Sequence, residues 1–426
     1  MKIDRINKTP KILVKETKGI TLIALVITIV VLLILAGVVI ATLNGNDNII
    51  KNANTAVGKY NEKVNGEQEI LDTLEEKLRE YNTIVEDYDP NNLKVDENGL
   101  ATANIRIKPI TNNAENIQIV IPKGFAPTIL ETGTTQSLPG EDGSVKEKMP
   151  ASQWNSITAI DINKGIVVVD VDENEFVWIP ITDTSKFKRI AWTTAYGYDE
   201  NGTWQGEACT TPHQLADIST VNRWWEDKTT SEYTKMVTSV TQNKGFFIGR
   251  YEASANGDKT QSKREKYTWT NISQTDAIIK SANYNSILHS HLMYGIEWDS
   301  LLNWLNGNAT ISSTTNDQTK TMELVDLQTN SCSWGNYSNS TGNAATNKGI
   351  KQTTGKSEHW KANNIYDVAG NVAEWTQEKY STGIRRANRG GDYNNYGDYY
   401  PAANRYPLDV NCIIGANVGF RVSFYL

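Results

Sequence analysis

Between Asp392 and Val410 the chain is built of Asp, Asn, Tyr and Gly with very little aliphatic content. Five tyrosines stand there, Tyr393, Tyr396, Tyr399, Tyr400 and Tyr406. Tyrosine offers a large amphipathic contact area with few rotors to freeze, and Asn and Asp add adaptable hydrogen bonding. Planar amides and carboxylates also suit pairs of sugar hydroxyls, while rings stack on pyranose faces. The stretch therefore reads as a recognition surface made of Asp392, Tyr393, Asn394, Asn395, Tyr396, Asp398, Tyr399, Tyr400, Asn404, Tyr406 and Asp409. Its ligand would be a glycan or a protein. Some of its asparagine also reflects a chain rich in Asn, Lys and Ile throughout.

A second group of oxygens lies just upstream. Asp367, Asn371 and Glu374 surround Gly370 within the run Asn364 to Trp375. Hard oxygen ligands on a tight turn are what Ca²⁺ prefers. The same residues also read as a plain turn at Gly370-Asn371, with Trp375 in the core and Glu374 bonded to buried backbone. Elsewhere the chemistry is sparse. Cys209, Cys332 and Cys412 lack metal-type spacing, and no two of them can be assigned as a disulfide. His289-Ser290-His291 with Glu297 reads as packing more than as a metal site. There is no nucleophile elbow, phosphate-binding glycine loop or zinc-protease motif. A net charge of −7, with its only basic cluster at the N-terminus, argues against nucleic acid as a partner.

The elements that carry these groups can be sketched from pattern. Residues 1–19 are a basic leader, with Lys2, Arg5, Lys8, Lys11, Lys15 and Lys18 against Asp4 and Glu16. Residues 20–44 are almost wholly apolar, and about 20 such residues cross a hydrocarbon core of roughly 30 Å. The basic flank would keep the N-terminus in the cytoplasm and send the remainder outside, as a single-pass protein with an extracellular C-terminal domain. Over 45–88, Ala56, Tyr60, Val64, Leu71, Leu74, Leu78 and Tyr81 recur at helical spacing, an amphipathic stem ended by Asp89-Pro90. Residues 89–150 are a β-rich segment followed by a polar linker, either a separate domain or an extension of the next. Residues 151–426 hold strand signals at 165–170, 175–180 and 245–252 and a helix over 297–305. The Thr-, Asn- and Ser-rich stretches 181–242 and 306–350 read as irregular. The class is α+β.

Two resemblances sharpen this sketch. The boundary Lys18-Gly19-Ile20-Thr21-Leu22 resembles the type IV prepilin N-terminus, which implies cleavage between Gly19 and Ile20 and other pilin-like subunits as partners. It departs from that family at Ala24, where a glutamate is usual. Glu175 to Pro180, Gly245 to Glu252, Met293 to Asp299, Asn364 to Trp375, Arg389-Gly390-Gly391 and Gly419 to Val422 together resemble the formylglycine-generating enzyme (sulfatase-modifying factor) family. That resemblance implies a C-type-lectin-like fold and a structural calcium ion held by Asp367, Glu374 and the carbonyls of Gly370 and Val372. The family's copper-binding cysteine pair is missing from Asp392 to Arg405, which argues against an enzyme. The family also includes proteins whose C-terminal loop is varied by diversity-generating retroelements at Asn codons, and the Asn, Asp and Tyr mixture here suits that. The expected function is a surface-displayed, membrane-anchored or pilin-associated binding protein of adhesin type. The alternative is an enzyme of the same superfamily with non-standard chemistry.

Overall fold

The computed structural model describes residues 84–109, 117–190, 224–285, 288–315, 318–380, 384–410 and 415–426, together with Val31, Lys59 and Val64. The leader with its Gly19-Ile20 junction, all of the apolar run 20–44 but Val31, nearly all of the stem, and Cys209, His213 and Cys412 lie outside the described residues. Among the described residues no helix is long and apolar enough to cross a membrane.

Residues 79–426 form one compact unit. Its main sheet runs in the order Ser290–Leu292, Val422–Phe424, Gly245–Gly249, Glu175–Pro180, Val167–Val169, Ala126–Leu130 and Val145–Lys148. Neighbouring strands are antiparallel throughout. Antiparallel sheets usually leave one face to water, yet these central strands are apolar at almost every position. The reason is a core on each side. Successive side chains point to opposite faces. Val177, Ile179, Phe246 and Ile248 enter one cluster with Met236, Val240, Leu301, Leu302 and Leu305. Phe176, Trp178, Phe247 and Phe424 enter the other with Ile162, Trp154 and Val168. The helices Ser231–Asn243 and Gly295–Leu305 cover the first face.

The segment 89–150 is built into this unit. A three-stranded sheet of Val85–Asp87, Asn104–Ile107 and Ile119–Ile121 packs its isoleucines into the second cluster. The polar stretch 131–150, expected as an exposed linker, instead leads into the edge strand Val145–Lys148. It is pinned from inside, because Asn364 donates to the carbonyls of Thr135 (2.9 Å) and Gly165 (2.8 Å), and the buried Lys361 ammonium donates to Ser137 Oγ (2.6 Å) and the Glu141 carbonyl (2.8 Å). Residues 89–150 and 151–426 thus fall within one compact unit, which is the extension that the sequence left open beside a separate domain.

A second sheet carries the motifs near the C-terminus. Its order is Arg405–Asp409, Arg385–Arg389, Ala373–Tyr380 and Val418–Phe420, with Trp224–Trp225 paired to the far end of Ala373–Tyr380. The polar loop rises from the strand end at Arg389 and returns into Arg405.

Candidate functional site

The loop begins where two glycines are sterically required. Gly390 and Gly391 have φ of +86° and +68°, the left-handed region that L side chains rarely adopt. A Cβ on Gly391 would also lie 2.3 Å from the Tyr400 carbonyl oxygen. Arg389-Gly390-Gly391 is thus a device for turning the chain out of a strand and laying the loop back on itself.

The loop is held from beneath mainly through its backbone. The Trp298 indole N–H donates to the Ala402 carbonyl at 3.1 Å, and the Ala403 N–H donates to Leu327 at 2.9 Å. Ser338 reaches the Asn395 carbonyl with both its N–H (2.9 Å) and its hydroxyl (2.8 Å). Asn339 donates to Asp398 at 2.9 Å and accepts from the Gly397 N–H at 2.8 Å.

Beneath both loop ends lies a buried charge network. Arg389, the last residue before the glycines, meets Glu378 (3.1 Å) and Asp299 (3.3 Å), and donates to the Asn404 carbonyl at 2.9 Å. Arg405, at the loop's return, meets Glu378 at 2.7 Å and also pairs with Asp299. Arg189 meets Asp299 at 3.0 Å and pairs with Glu378. Burial alone would raise the Glu378 carboxyl, but the guanidiniums of Arg189, Arg405 and Arg389 outweigh it and hold the group at about 2. The Arg389 guanidinium also lies 5.4 Å from the Trp298 ring centre. Glu226 sits at the edge of this network, 3.6 Å from Arg189, and accepts from the backbone N–H groups of Gly295 and Ile296 at the start of helix Gly295–Leu305. Burial dominates there and raises Glu226 to about 7.

On the outer side the loop and sheet enclose a concavity of about 290 Å³. Of the residues expected from sequence, Asp392, Asn395, Tyr400, Asn404 and Tyr406 line it. Tyr396 and Tyr399 stand outside as an exposed pair, 55% and 46% accessible, with ring centres 6.5 Å apart. Asn394 is exposed and Tyr393 half-buried, whereas Asp398 is spent on Asn339. Asp409 stands apart, at the end of strand Arg405–Asp409 opposite Arg385. The expectation of an irregular loop through Val410 is corrected here, because Arg405–Asp409 is an edge strand. Asn388, Leu408, Asn417 and Val418 also line the concavity and were not foreseen. They are distant in sequence or lie on paired strands. Asn417, just ahead of Gly419-Phe420-Arg421, is the one that the frame motif could have flagged. Burial raises the Asp392 carboxyl above its ordinary range, while the Asn394 N–H and Asn417 amide work against that. The lining thus combines one hard-to-ionise carboxyl, four amides and two phenols, groups suited to ligand hydroxyls and amides.

The expected calcium ligands form a different arrangement. Gly370 (φ +75°) makes the turn, and a Cβ there would lie 2.2 Å from the Asn336 carbonyl oxygen. Both oxygens of Glu374 meet the buried guanidinium of Arg421, at 2.6 to 3.2 Å. That arginine also donates to the carbonyls of Gly249 and Tyr366, each at 2.9 Å. Glu252, unremarked in the sequence, accepts from the Val372 N–H at 3.0 Å and the Asn371 amide at 2.6 Å. Asp367 accepts from the Gly355 N–H at 2.7 Å, and its other oxygen is buried without a partner. Burial, aided by Glu374, raises Asp367 to about 7, and Glu252 is pushed well up by burial and by Asp367. In charge, three carboxylates against one guanidinium would welcome a cation. Glu374 is occupied by Arg421, so of the two side chains expected to hold calcium it is Asp367 that keeps an oxygen without a partner.

Of the other candidates, His291 is buried in a 3.0 Å pair with Glu297, which also accepts from the Ser423 hydroxyl at 2.6 Å. Although burial opposes it, Glu297 raises His291 to about 9. His289 (φ +47°) stacks on Tyr425 instead. Cys332 is buried near the loop, and burial pushes its thiol up to about 11, away from nucleophilic thiolate chemistry.

No family model matches the sequence, and no match was found among curated proteins. Among solved structures, the chain is similar to PvdO from Pseudomonas aeruginosa at 13% identity, with a TM-score of 0.34 over 60% of this chain and 96% of that one. It is also similar to Treponema denticola variable protein 1 at 19% identity, with a TM-score of 0.22 over 41% of this chain and 54% of that one.

Proposed function

We propose that this chain is a ligand-binding protein of adhesin type, displayed outside the cell on a C-type-lectin-like scaffold and anchored by its apolar N-terminal run. The observation that carries this reading is the join of a rigid base to an aromatic, amide-rich surface. The loop backbone is bonded to Trp298, Leu327, Ser338 and Asn339, while Tyr396 and Tyr399 are left exposed beside a concavity of about 290 Å³. Exposed tyrosines on a fixed loop present a large contact area with few rotors to freeze on binding. The ligand is a glycan or a protein. Variation of the loop by a retroelement, and association with pilin-like subunits through residues 20–44, belong to the same proposal.

The alternative, an enzyme of the same superfamily with non-standard chemistry, would need a catalytic group other than Cys332, whose thiol burial pushes up to about 11. The test is a glycan and protein-ligand array probed with the full-length chain and with a variant carrying Tyr396→Ala, Tyr399→Ala, Tyr400→Ala and Tyr406→Ala. Specific binding should disappear in the variant. Binding that survives all four changes would place the recognition surface elsewhere.

A further inference from the structure

The concavity beside the loop differs in charge from the interior beneath it. Its floor holds Asp392, which is 4% exposed and forms no ion pair among the described residues. Its oxygens accept from the Asn394 N–H at 2.8 Å and the Asn417 amide at 3.0 Å, both neutral donors. A carboxylate this far from water is ordinarily paired with a cation. Other buried carboxylates of the domain are paired, as Glu378 with Arg389, Glu374 with Arg421 and Asp326 with Lys320. Asp392 has no such neighbour, because none of the described residues lining the concavity is Lys, Arg or His. Residues 390–404 contribute two aspartates and no cation. The arginines at the two loop ends, Arg389 and Arg405, turn inward to Glu378. Arg386, two residues along its strand from Asn388, directs an N–H to the Arg385 carbonyl at 3.0 Å.

The wall supplies what an incoming cation would use. Tyr400 and Tyr406 both line the concavity, with ring centres 6.2 Å apart and planes at 60°, so they form a corner. Tyr406 is 46% exposed, which leaves that corner open to solvent. An ammonium or guanidinium within about 6 Å of a ring centre is drawn to the negative face of the ring. A carboxylate adds to that attraction across several ångströms, without direct contact. The side-chain oxygens of Asn388 and Asn404 add acceptors for N–H groups. An acidic ligand would instead meet Asp392 with no cation to offset it. A neutral ligand would cover Asp392 and leave its charge unpaired. Burial already raises that carboxyl, and a cation seated beside it favours the ionised form, so binding and ionisation reinforce one another.

We propose that the concavity takes a cationic group of the ligand, an ammonium or guanidinium, held in the corner of Tyr400 and Tyr406 with Asp392 as its counter-charge. This rests on the reading of the loop as a binding surface and adds the chemical class that the surface selects. Such a group belongs to a lysine or arginine side chain of a protein, or to an unacetylated amino sugar. The test uses the full-length chain in detergent at pH 6.5 and fixed ionic strength, titrated by ligand-observed saturation transfer. Three cationic probes are each matched to a neutral one of similar shape: Nα-acetyl-lysine methylamide to the norleucine compound, Nα-acetyl-arginine methylamide to the citrulline compound, and methyl glucosaminide to methyl glucoside. At least one cationic probe should bind about fivefold or more tighter than its neutral match, and which pair shows the preference separates protein from sugar. Asp392→Asn keeps an oxygen for the Asn394 N–H and should erase the preference. Tyr406→Leu, on an exposed edge strand, should weaken the cationic probe and carries the test if Asp392→Asn folds poorly. If no cationic probe binds, if the neutral match binds equally well, or if the preference survives Asp392→Asn, the proposal is overturned. Array ligands that need the tyrosines but are neutral or acidic would overturn it while the binding role of the loop stands. Array binding that ignores the tyrosines removes that role, and this proposal with it.

Discussion

Two arginine-centred sites lie in the interior of this domain, and they balance charge in opposite ways. Under the loop, Arg189, Arg389 and Arg405 share Glu378 and Asp299, and the cations hold Glu378 at about 2. At the Gly370 turn, a single Arg421 faces Glu374 while Asp367 and Glu252 stand near without a cation of their own, and Asp367 rises to about 7. Both sites are buried, so dielectric does not separate them. The ratio of guanidinium to carboxylate does. With Glu226 at its edge, the first network sets three carboxylates against three guanidiniums and so fixes two chain ends as a matched, rigid base, whereas the unmatched site has three carboxyls to one guanidinium.

The largest effect should come from unbalancing the matched site. Glu378→Gln leaves three buried guanidiniums with one shared carboxylate fewer, and breaking such a pair costs about 3–5 kcal/mol. Chemical denaturation should show a fall of that order, and a loss below about 1 kcal/mol would mean that the network is solvated in solution. A pH titration of stability sharpens the contrast. Glu378 is depressed, so its contribution is complete above its unfolded value near 4 and is lost only as pH falls toward about 2. Asp367 is raised, so the folded state favours its proton, and stability drains as pH climbs from about 4 through about 7. Glu226, also raised to about 7, adds to that slope from the edge of the other network. The melting temperature should therefore be higher at pH 5.5 than at pH 8. Asp367→Asn should remove part of the difference and Glu226→Gln another part. A slope untouched by Asp367→Asn would show that its orphaned oxygen is already paired.

These two sites were unequally legible in the sequence. Asp367, Gly370 and Glu374 fall within eight residues and stand out as a motif, although Arg421 and Glu252, which decide its electrostatics, arrive from distant strands. The matched network was invisible, because Arg189 reaches Asp299 across 110 residues and Glu378 across 189. Local pattern did better where burial is local. The strand Glu175–Pro180 was read to the residue, since an apolar run with a core on each side has no other use. The helix expected from Glu297 starts at Gly295, because the Glu297 carboxylate reaches back to the Tyr294 N–H at 2.7 Å and so marks the first turn. Helix Ser231–Asn243 was lost in a stretch read as irregular, despite Tyr233, Met236 and Val240 at helical spacing behind the Thr230 cap. Strand Arg405–Asp409 was lost for a different reason. Its pairing with Arg385–Arg389 is made by backbone, and Pro407 is tolerated because the strand lies at a sheet edge.

A smaller effect is expected from metal removal. With Glu374 given to Arg421, a chelator should leave the melting temperature of the protein unchanged at pH 5.5 and at pH 8. A fall confined to pH 8 would instead place a cation on ionised Asp367 and turn the unmatched site into a matched one.

A small effect on stability should come from the surface that the matched network supports. Tyr396 and Tyr399 are about half exposed, and the loop backbone beside them is held by Asn339. Changing both to Ala should shift unfolding free energy by no more than about 0.5 kcal/mol, as for other exposed sites. Arg405→Lys makes the opposite trade. It touches no ligand-facing atom, but it removes the planar fork that bridges Glu378 and Asp299 and so loosens the loop's return. If the loop is a binding surface on a rigid base, the tyrosine pair should abolish binding with stability intact. Arg405→Lys should then lower stability and weaken binding together. Should Arg405→Lys cost stability while binding holds, the base and the surface are independent, and the rigidity supplied by the buried charges serves the fold alone.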